Sequence, residues 1–377
     1  MWTVPVASRP QVQDLGSYGL DRPPTKLIQL SANESALPPL PGVLDAVRLA
    51  AAGVNRYPAG STHELIQVLA VRLGVEPKQI AIGAGSAALF QAAATAFIAS
   101  GDTVVVADPT FDLYERWVHI MGGRAIRIPL DDRFVHDLDA MASAVGRDTR
   151  AIVLCNPNNP TGTAVALEPL KEFIRHVPSD VLVIVDEAYR EFARDWPASQ
   201  GAVGLMADHE NLLVLRTFSK AYGLAGLRVG YAVGSADVVG AMRNVSTPAA
   251  VTELAVAAAM ESLRRDTELA DRVARVLTNR SHVRDELRSI GIPVVEPSGN
   301  FVWMPLGSLG DGLVGKCEAN GIRIRPLPGG VRVTIGSSEE NDRFLAVAER
   351  WWAEQQERVK ELHGPRSGER DAALASD

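Results

Sequence analysis

A single lysine stands among hydroxyls and glycines in the stretch Arg216-Thr217-Phe218-Ser219-Lys220-Ala221-Tyr222-Gly223-Leu224-Ala225-Gly226-Leu227-Arg228. The preceding run, Leu212-Leu213-Val214-Leu215, is apolar at successive positions, which is typical of a parallel strand buried on both faces. A lysine at the mouth of such a strand is poorly hydrated, and desolvation lowers the pKa of its amine toward the neutral, nucleophilic form. The pattern therefore indicates Schiff-base chemistry at Lys220.

Three side chains near this lysine have the groups that hold a phosphate dianion. The hydroxyls of Thr217 and Ser219 can donate hydrogen bonds, and the guanidinium of Arg228 can donate two in parallel. An aldehyde-reactive lysine beside a phosphate site favours pyridoxal phosphate as the ligand. The alternative is a solvated loop lysine beside an ordinary surface arginine.

The segment from Ser219 to Arg228 resembles the active-site lysine segment of fold-type I aminotransferases, particularly the histidinol-phosphate and actinobacterial aromatic (phenylalanine) aminotransferases. The resemblance extends over roughly residues 25 to 355. It implies pyridoxal 5'-phosphate as the cofactor, no metal, and an aminotransferase that works in two half-reactions on amino acids and 2-oxo acids. In this family the lysine binds the cofactor aldehyde and moves the substrate proton, which implies both roles for Lys220.

Composition limits the kinds of protein that this chain can be. It has 377 residues, of which 46% are hydrophobic and 22% charged, the balance of a soluble globular protein with more than one domain. The net charge of -7, without a basic run, argues against nucleic acid as a partner. Two cysteines cannot form a disulfide framework, and no signal-peptide pattern or membrane-spanning run is present, so we expect a cytoplasmic protein without a membrane partner.

Short apolar runs alternate with amphipathic helices from Thr103 to the strand before Lys220. This alternation predicts a mostly parallel sheet covered by helices on both faces, with ligands beyond the carboxyl ends of the strands. After about residue 244, helical patterns and short strands at Val294-Val295 and Phe301-Val302-Trp303 predict a smaller unit. With the resemblance, we expect an α/β fold of the fold-type I aminotransferase kind. It has a large domain with a mostly parallel seven-stranded sheet and a smaller α+β domain.

The expected domain organisation has four regions. An N-terminal arm at 1–30, rich in proline and glycine, can extend toward a partner subunit. The large cofactor-binding domain covers 31–245, and the small C-terminal domain covers 246–360. The tail at 361–377 is polar, which predicts disorder.

A glycine turn at Gly83-Ala84-Gly85-Ser86-Ala87-Ala88 joins a short strand to a long apolar helix. The free backbone N–H groups at a helix start bind anions. The turn nearly spells the dinucleotide-binding fingerprint, with Asp108 twenty residues on, so a Rossmann-type oxidoreductase is a weaker alternative. In the resemblance, one wall of the cofactor's phosphate site is formed by Gly85, Ser86 and Ala87.

Polar side chains also follow two other predicted strands. Asp186 closes the run 181–185, and a buried carboxylate without a cationic partner is costly. A protonated pyridine nitrogen is such a partner, and its charge makes the ring an electron sink; a salt bridge to a structural arginine is the alternative. The prolines and glycine of the turn at 156–162 hold an amide in place. By resemblance, Asn159 and Tyr189 donate hydrogen bonds to the cofactor's phenolic oxygen, and Asn159 is also expected to contact the substrate.

The resemblance gives roles to four further side chains. Phe111 is expected to stack on the pyridine ring, although a core phenylalanine fits the spacing equally well. Asn33 is expected at the edge of the substrate, and Arg332 is expected to bind its α-carboxylate through two donors. Tyr57 is expected to reach the cofactor phosphate of the neighbouring subunit, which implies a homodimer with shared active sites; a tyrosine packed beside a turn proline is the alternative.

The identity of the substrate is less well defined by the sequence. Aromatic relatives carry an aromatic-rich segment where this chain has 244–250, and the smaller residues here predict a more open side-chain pocket. Glu253 adds a carboxylate nearby, and Arg323 and Arg325 add positive charge. We expect an amino acid with a ring-bearing side chain, whether aromatic, imidazole or otherwise polar, and 2-oxoglutarate as acceptor. Another pyridoxal-phosphate reaction on the same fold, such as decarboxylation, remains open.

Overall fold

The structure, a computed structural model, describes residues 6, 8–13, 15–16, 27–193 and 200–362. Most of the predicted arm and nearly all of the predicted tail lie outside the described residues. The helices in these ranges are α1 (Pro10–Gln13), α2 (Val43–Ala50), α3 (Ala59–Leu73), α4 (Ser86–Phe97), α5 (Leu113–Ile120), α6 (Leu138–Ser143), α7 (Leu167–His176), α8 (Ala236–Val245), α9 (Glu253–Ser262), α10 (Asp266–Ser289), α11 (Gly310–Ala319) and α12 (Ser338–Leu362). The strands are β1 (Ile28–Gln29), β2 (Ile80–Gly83), β3 (Thr103–Asp108), β4 (Arg124–Pro129), β5 (Thr149–Cys155), β6 (Leu182–Asp186), β7 (Leu212–Thr217), β8 (Gly230–Val233), β9 (Phe301–Met304), β10 (Ile322–Arg323), β11 (Arg325–Leu327) and β12 (Gly330–Thr334).

A seven-stranded sheet in the order β2-β8-β7-β6-β5-β3-β4 forms the larger part of the fold. Strand β8 runs antiparallel to both of its neighbours, and the other pairs are parallel. The prediction of an α/β fold with a mostly parallel seven-stranded sheet is confirmed. No helix of the described residues is long and apolar enough to cross a membrane.

Side chains of the central strand β6 alternate between two hydrophobic cores. Leu182 and Ile184 pack in the core that contains α4 and α5, whereas Val183 and Val185 pack in the core that contains α3 and α7. This alternation is the ordinary geometry of a strand covered on both faces. It places Asp186, the last residue of β6, on the α5 side of the sheet.

A smaller, three-stranded sheet, a two-stranded sheet and three helices enclose a third core. Strands β11, β12 and β9 are antiparallel, and β1 pairs in parallel with β10. Leu30, at the end of the predicted arm, is 1% exposed and packs in this core with Phe344 and Trp351. Helix α9 belongs to the expected small domain, but it packs against α2 and α3, which belong to the expected large domain. The expected boundary between 245 and 246 therefore stays a prediction.

One predicted strand is absent from the fold. Val294 and Val295 lie in a loop, although the backbone N–H of Val295 donates to the carbonyl of Trp303. The prediction of a strand there is wrong, because a pair of apolar residues occurs as readily in a partly buried loop as in a strand. The neighbouring prediction at 301–303 is confirmed by β9.

Candidate active site

Lys220 lies just beyond the carboxyl end of β7, close to the segment that follows β1. Its Nζ donates a hydrogen bond to the backbone carbonyl of Ala32 at 3.0 Å and lies 5.7 Å from the centre of the Tyr189 ring. Burial, together with the positive charge of Arg332, lowers the pKa of the Lys220 amine to about 8. The amine therefore carries a sizeable neutral fraction at physiological pH, as a carbonyl-attacking nucleophile requires.

Hydroxyls and a guanidinium converge beside this lysine. The Thr217 hydroxyl donates to Ser219 Oγ at 2.9 Å, and Arg228 Nη1 donates to the same oxygen at 3.2 Å. Arg228 has a left-handed backbone conformation, with φ of 54°, and its side chain is exposed. The side chain is thus turned back onto the residues around Lys220 and remains open to a ligand.

The glycine turn brings the start of α4 to the same guanidinium. Gly85 immediately precedes α4 and has a φ of 84°. A Cβ added to Gly85 would lie 2.6 Å from Arg228 Nη2, and one added to Gly230 would lie 2.9 Å from the backbone nitrogen of Ser86. The left-handed backbone at Gly85 and the lack of a side chain at Gly230 permit this approach, which places the start of α4 near Arg228. The start of α4, the hydroxyl pair and the arginine together form a candidate anion site.

Asp186 is a buried carboxylate that accepts hydrogen bonds from two neutral groups. Its Oδ2 accepts from the Tyr114 hydroxyl at 2.9 Å, and its Oδ1 accepts from the backbone N–H of Ala188 at 3.0 Å. Burial raises the pKa of Asp186 to about 6, and the Tyr114 hydrogen bond opposes this rise. A cationic ligand group would complete the site, because burial of an unpaired carboxylate is costly.

The structure resolves the alternative that Asp186 pairs with a structural arginine. Arg216 is a buried arginine on β7, the strand next to β6. Its Nε donates to Glu187 Oε2 at 2.7 Å. Both members of that pair are almost fully buried. Glu187 thus neutralises Arg216, and the arginine does not serve Asp186.

Asn159 joins the larger sheet to the smaller one. The preceding residue, Asn158, accepts from the Thr110 hydroxyl at 2.8 Å and donates to the carbonyl of Pro109, which ties together the loops after β3 and β5. Asn159 Oδ1 accepts a hydrogen bond from Nη1 of Arg332, a residue of β12. Arg332 Nη2 donates to the carbonyl of Ser31 at 2.6 Å. A guanidinium with carbonyl acceptors is thereby held over the cleft, where a carboxylate can compete for its donors.

Asn33 and Tyr189 meet on the other side of Lys220. Asn33 is 1% exposed, with a left-handed backbone, and its Nδ2 donates to the Tyr189 hydroxyl at 3.1 Å. Burial raises the pKa of the Tyr189 phenol, so this hydroxyl stays protonated in the physiological range. The predicted substrate-edge residue is therefore in contact with a predicted cofactor ligand.

Phe111, Tyr57 and Glu253 differ in how they relate to this cluster. Phe111 is partly buried beside Tyr114, with ring centres 5.5 Å apart, and its stacking role stays a prediction. Tyr57 lies on the surface, 87% exposed, rather than packed beside its proline. Glu253 Oε2 accepts from the Ser61 hydroxyl at 2.5 Å. That contact gives Glu253 a role at the start of α3, so the structure offers no support for it as a substrate-binding group.

The glycine turn does not lie where a dinucleotide fold would place it. Strand β2, which leads into the turn, is at the edge of the sheet, and its neighbour β8 is antiparallel to it. In dinucleotide-binding folds the fingerprint follows a central strand with parallel neighbours. The Rossmann alternative therefore has no support in the topology.

Comparison with known proteins gives the same answer as the geometry. The family model described as aminotransferase class I and II matches residues 25–347. The chain belongs to this aminotransferase family. It is 47% identical to an aromatic amino acid aminotransferase of Streptomyces coelicolor over 85% of this chain and 89% of that protein. An enzyme of the same name from Thermobifida fusca is 46% identical, over 86% of this chain and 90% of that protein.

A solved structure resembles this aminotransferase over almost its whole length. It is the histidinol-phosphate aminotransferase of Sinorhizobium meliloti in complex with pyridoxal-5'-phosphate. The TM-score is 0.85 at 29% sequence identity, and the match covers 93% of this chain and 99% of the other.

Two residues of the site were missed in the sequence. Tyr114, on α5, donates to Asp186, and Thr334, at the end of β12, contacts Asn33. A weak signal existed for Thr334, because it follows Arg332 by two residues and strand side chains two apart share a face. Tyr114 had no comparable signal, since it reads as an ordinary core residue of α5.

The lowered pKa of Lys220 predicts early chemical labelling of this lysine. In the cofactor-free aminotransferase, acylation of Lys220 followed by peptide mass spectrometry should show a rate that rises with a midpoint near pH 8, because only the neutral amine reacts. Lys78 is the internal control, since its hydrogen bond to Glu76 raises the pKa of its amine and delays labelling to higher pH. Equal midpoints for the two lysines would contradict the assigned environment of Lys220.

Proposed function

We propose that this aminotransferase uses pyridoxal 5'-phosphate to move an amino group between an amino acid with a ring-bearing side chain and a 2-oxo acid such as 2-oxoglutarate. The observation that carries the proposal is the position of Lys220. Its amine, with the pKa lowered to about 8, lies near the anion site of Ser219 and Arg228, near Asp186 and near Arg332. The names of the Streptomyces and Thermobifida relatives support an aromatic substrate.

The residues present fit this cofactor at both of its ends. The anion site at the start of α4 suits a phosphate dianion, with a guanidinium and a helix N-terminus as donors. The buried Asp186 carboxylate suits a protonated ring nitrogen, since Tyr114 and Ala188 donate hydrogen bonds to it without a charge. The relative from Sinorhizobium meliloti, which holds this cofactor, supports the assignment.

Each side chain of the cluster then has a chemical task. When bound, pyridoxal phosphate supplies an electrophilic carbon and an electron sink for charge that develops at the substrate Cα. Lys220 would hold the cofactor through its amine and, as a free amine, would take and return the proton of the substrate Cα. Asp186 keeps the ring nitrogen protonated, and Arg332 holds the substrate α-carboxylate. The hydroxyl of Tyr189 and the Nδ2 of Asn159 are the donors for the phenolic oxygen.

The exposed side chains of the α2–α3 region support a homodimer with shared active sites. Apolar or aromatic side chains on this surface are far more exposed than is usual for their types: Leu49 is 80%, Val54 63%, Tyr57 87% and Val71 84% exposed. Several highly exposed apolar side chains in one region are compatible with a subunit interface. In the proposed dimer Tyr57 reaches the phosphate site of the other subunit.

The thiols support a cytoplasmic location. Cys155 and Cys317 are both unpaired and buried, and burial raises the pKa of each thiol to about 12. Such thiols are structural and unreactive, and disulfides are rare in the reducing cytosol.

Titration of the holoenzyme with single amino acids, followed by visible absorption, tests the proposed reaction. Phenylalanine, tyrosine, tryptophan or histidinol phosphate should bleach the cofactor band in the absence of any acceptor, and 2-oxoglutarate should restore it. Lys220→Ala should lower turnover by about three orders of magnitude or more, because nucleophile and proton carrier are lost together. Lys78→Ala, on the surface, is the matched control.

Release of carbon dioxide without any need for an acceptor would instead establish the decarboxylase alternative. A purified protein that gains no visible band with added pyridoxal phosphate would reject the proposal. A band that only polar, ring-free amino acids bleach would reject the ring-bearing substrate class and leave the reaction type in place.

The Tyr114–Asp186 contact predicts a specific defect in cofactor binding. Tyr114→Phe removes the hydrogen bond that opposes the raised pKa of Asp186, so more of the carboxyl is protonated at neutral pH and its attraction to a pyridinium falls. Affinity for pyridoxal phosphate should fall about tenfold, the effect of one hydrogen bond to a charged group. A cofactor analogue with carbon in place of the ring nitrogen should bind both proteins equally. An equal loss for cofactor and analogue would show that Tyr114 acts only through packing.

Shared active sites can be tested by mixing two inactive subunits. Tyr57→Ala lacks the residue that a subunit donates, and Lys220→Ala lacks the residue that it keeps, so each homodimer should be strongly impaired. Co-expression should recover about a quarter of wild-type activity, because random assortment puts half of the subunits in heterodimers and each heterodimer has one intact site. No recovery in heterodimers isolated with two affinity tags would exclude a shared site.

A further inference from the structure

Asn33 and Thr334 form a hydrogen-bond relay in which one amide orientation satisfies every donor proton. The backbone N–H of Asn33 donates to Thr334 Oγ1 at 2.9 Å, so this hydroxyl oxygen is already an acceptor. The hydroxyl proton of Thr334 is then directed to Asn33 Oδ1, at 3.1 Å. With the oxygen of the amide engaged by Thr334, the Nδ2 side must face the Tyr189 hydroxyl.

The orientation of this amide decides what Tyr189 can do with its proton. A phenol has one proton to donate, and its oxygen can accept as well. Since Asn33 Nδ2 donates to the phenol oxygen, the phenol proton is left for another acceptor. In the flipped orientation, Asn33 Oδ1 would face Tyr189 and take that proton, and the hydroxyl proton of Thr334 would lose its acceptor.

The surroundings hold the relay rigidly. Asn33, Thr334 and Tyr189 are each at most 5% exposed, so water does not compete for their hydrogen bonds. The carbonyl of Asn33 accepts from Asn300 Nδ2 at 3.2 Å, and the backbone N–H of Thr334 donates to the carbonyl of Leu30 at 2.9 Å. The left-handed backbone of Asn33 suits asparagine or aspartate better than most residues.

We infer that Asn33 is a positioning residue, with its amide orientation set by Thr334, which keeps the Tyr189 hydroxyl proton directed at the phenolic oxygen of the bound cofactor. This inference rests on the proposed function and deepens it. The relay begins on β12, two residues from Arg332, and ends at Tyr189. It thus links the strand that carries the substrate-binding arginine to a donor of the larger domain.

A spectroscopic pH titration of the holoenzyme tests the relay without reference to turnover. A donor to the phenolic oxygen stabilises its negative charge and lowers the pH midpoint at which the visible band changes. Thr334→Val should raise this midpoint by about one pH unit, the worth of one hydrogen bond to a charged group. Thr334→Ser, which keeps the hydroxyl, should remain close to the wild-type midpoint.

A double-mutant cycle separates a role through Tyr189 from a general structural role. Tyr189→Phe alone should raise the midpoint at least as much, and Thr334→Val should add nothing in that background. Asn33→Gly is the second test if Thr334→Val does not fold, because glycine keeps the left-handed backbone, adds no charge and removes the donating amide. It should also raise the midpoint in the presence of Tyr189, and by much less in the Tyr189→Phe background.

Two results would overturn the relay. One is a folded Thr334→Val protein with an unchanged midpoint, and the other is the same shift with and without the Tyr189 hydroxyl. Either result, in a wild-type enzyme that forms the band and transaminates, would reject the relay and leave the proposed function in place. A wild-type protein that forms no band would reject the proposed function and the relay with it.

Discussion

The hydrogen bonds of Arg332 connect the three-stranded sheet to the seven-stranded one, and the site depends on this connection. Arg332 lies on β12 of the smaller sheet, and it donates to Asn159 at the edge of the larger sheet and to Ser31 at 2.6 Å. A cation that is only 7% exposed is costly unless its donors are satisfied, and these carbonyl oxygens satisfy two of them. The same charge acts on Lys220, because it adds to burial in lowering the pKa of the amine. One side chain therefore both assembles the cleft and tunes its chemistry.

Two carboxylates at the end of β6 lie on opposite faces of the larger sheet, because side chains alternate along a strand. Successive side chains point to opposite faces, so Asp186 and Glu187 are separated although they are adjacent in sequence. Glu187 neutralises Arg216 at 2.7 Å and receives the backbone N–H of Ala202 at 2.7 Å, which makes it a structural carboxylate. Asp186 has neutral partners and a pKa raised to about 6, so it retains the capacity to bind a cation. One face of the sheet thus carries a carboxylate whose hydrogen-bond donors are neutral, and the other face carries a carboxylate that is paired with an arginine.

The sequence predicted the elements better than the contacts between them. Continuous apolar runs predict β5, β6 and β7, and parallel strands bring their carboxyl ends to one edge, so the proximity of Lys220 and Asp186 follows from local pattern. The prediction failed at 294–295, where two apolar residues carry too little periodicity to distinguish a strand from a loop. Tyr114 and Thr334 were missed because their partners lie 72 and 301 residues away in the chain, and no local pattern encodes such a pairing.

Both amides of the cleft are oriented by the same strand. Arg332 donates to Asn159 Oδ1, and Thr334, two residues further along β12, donates to Asn33 Oδ1. An amide whose oxygen is engaged on one side must present its NH₂ on the other, so both amides direct their donors away from β12. For Asn33 that donor reaches Tyr189 at 3.1 Å. Because side chains two apart on a strand share a face, a single short strand can set the direction of the protons on both sides of Lys220.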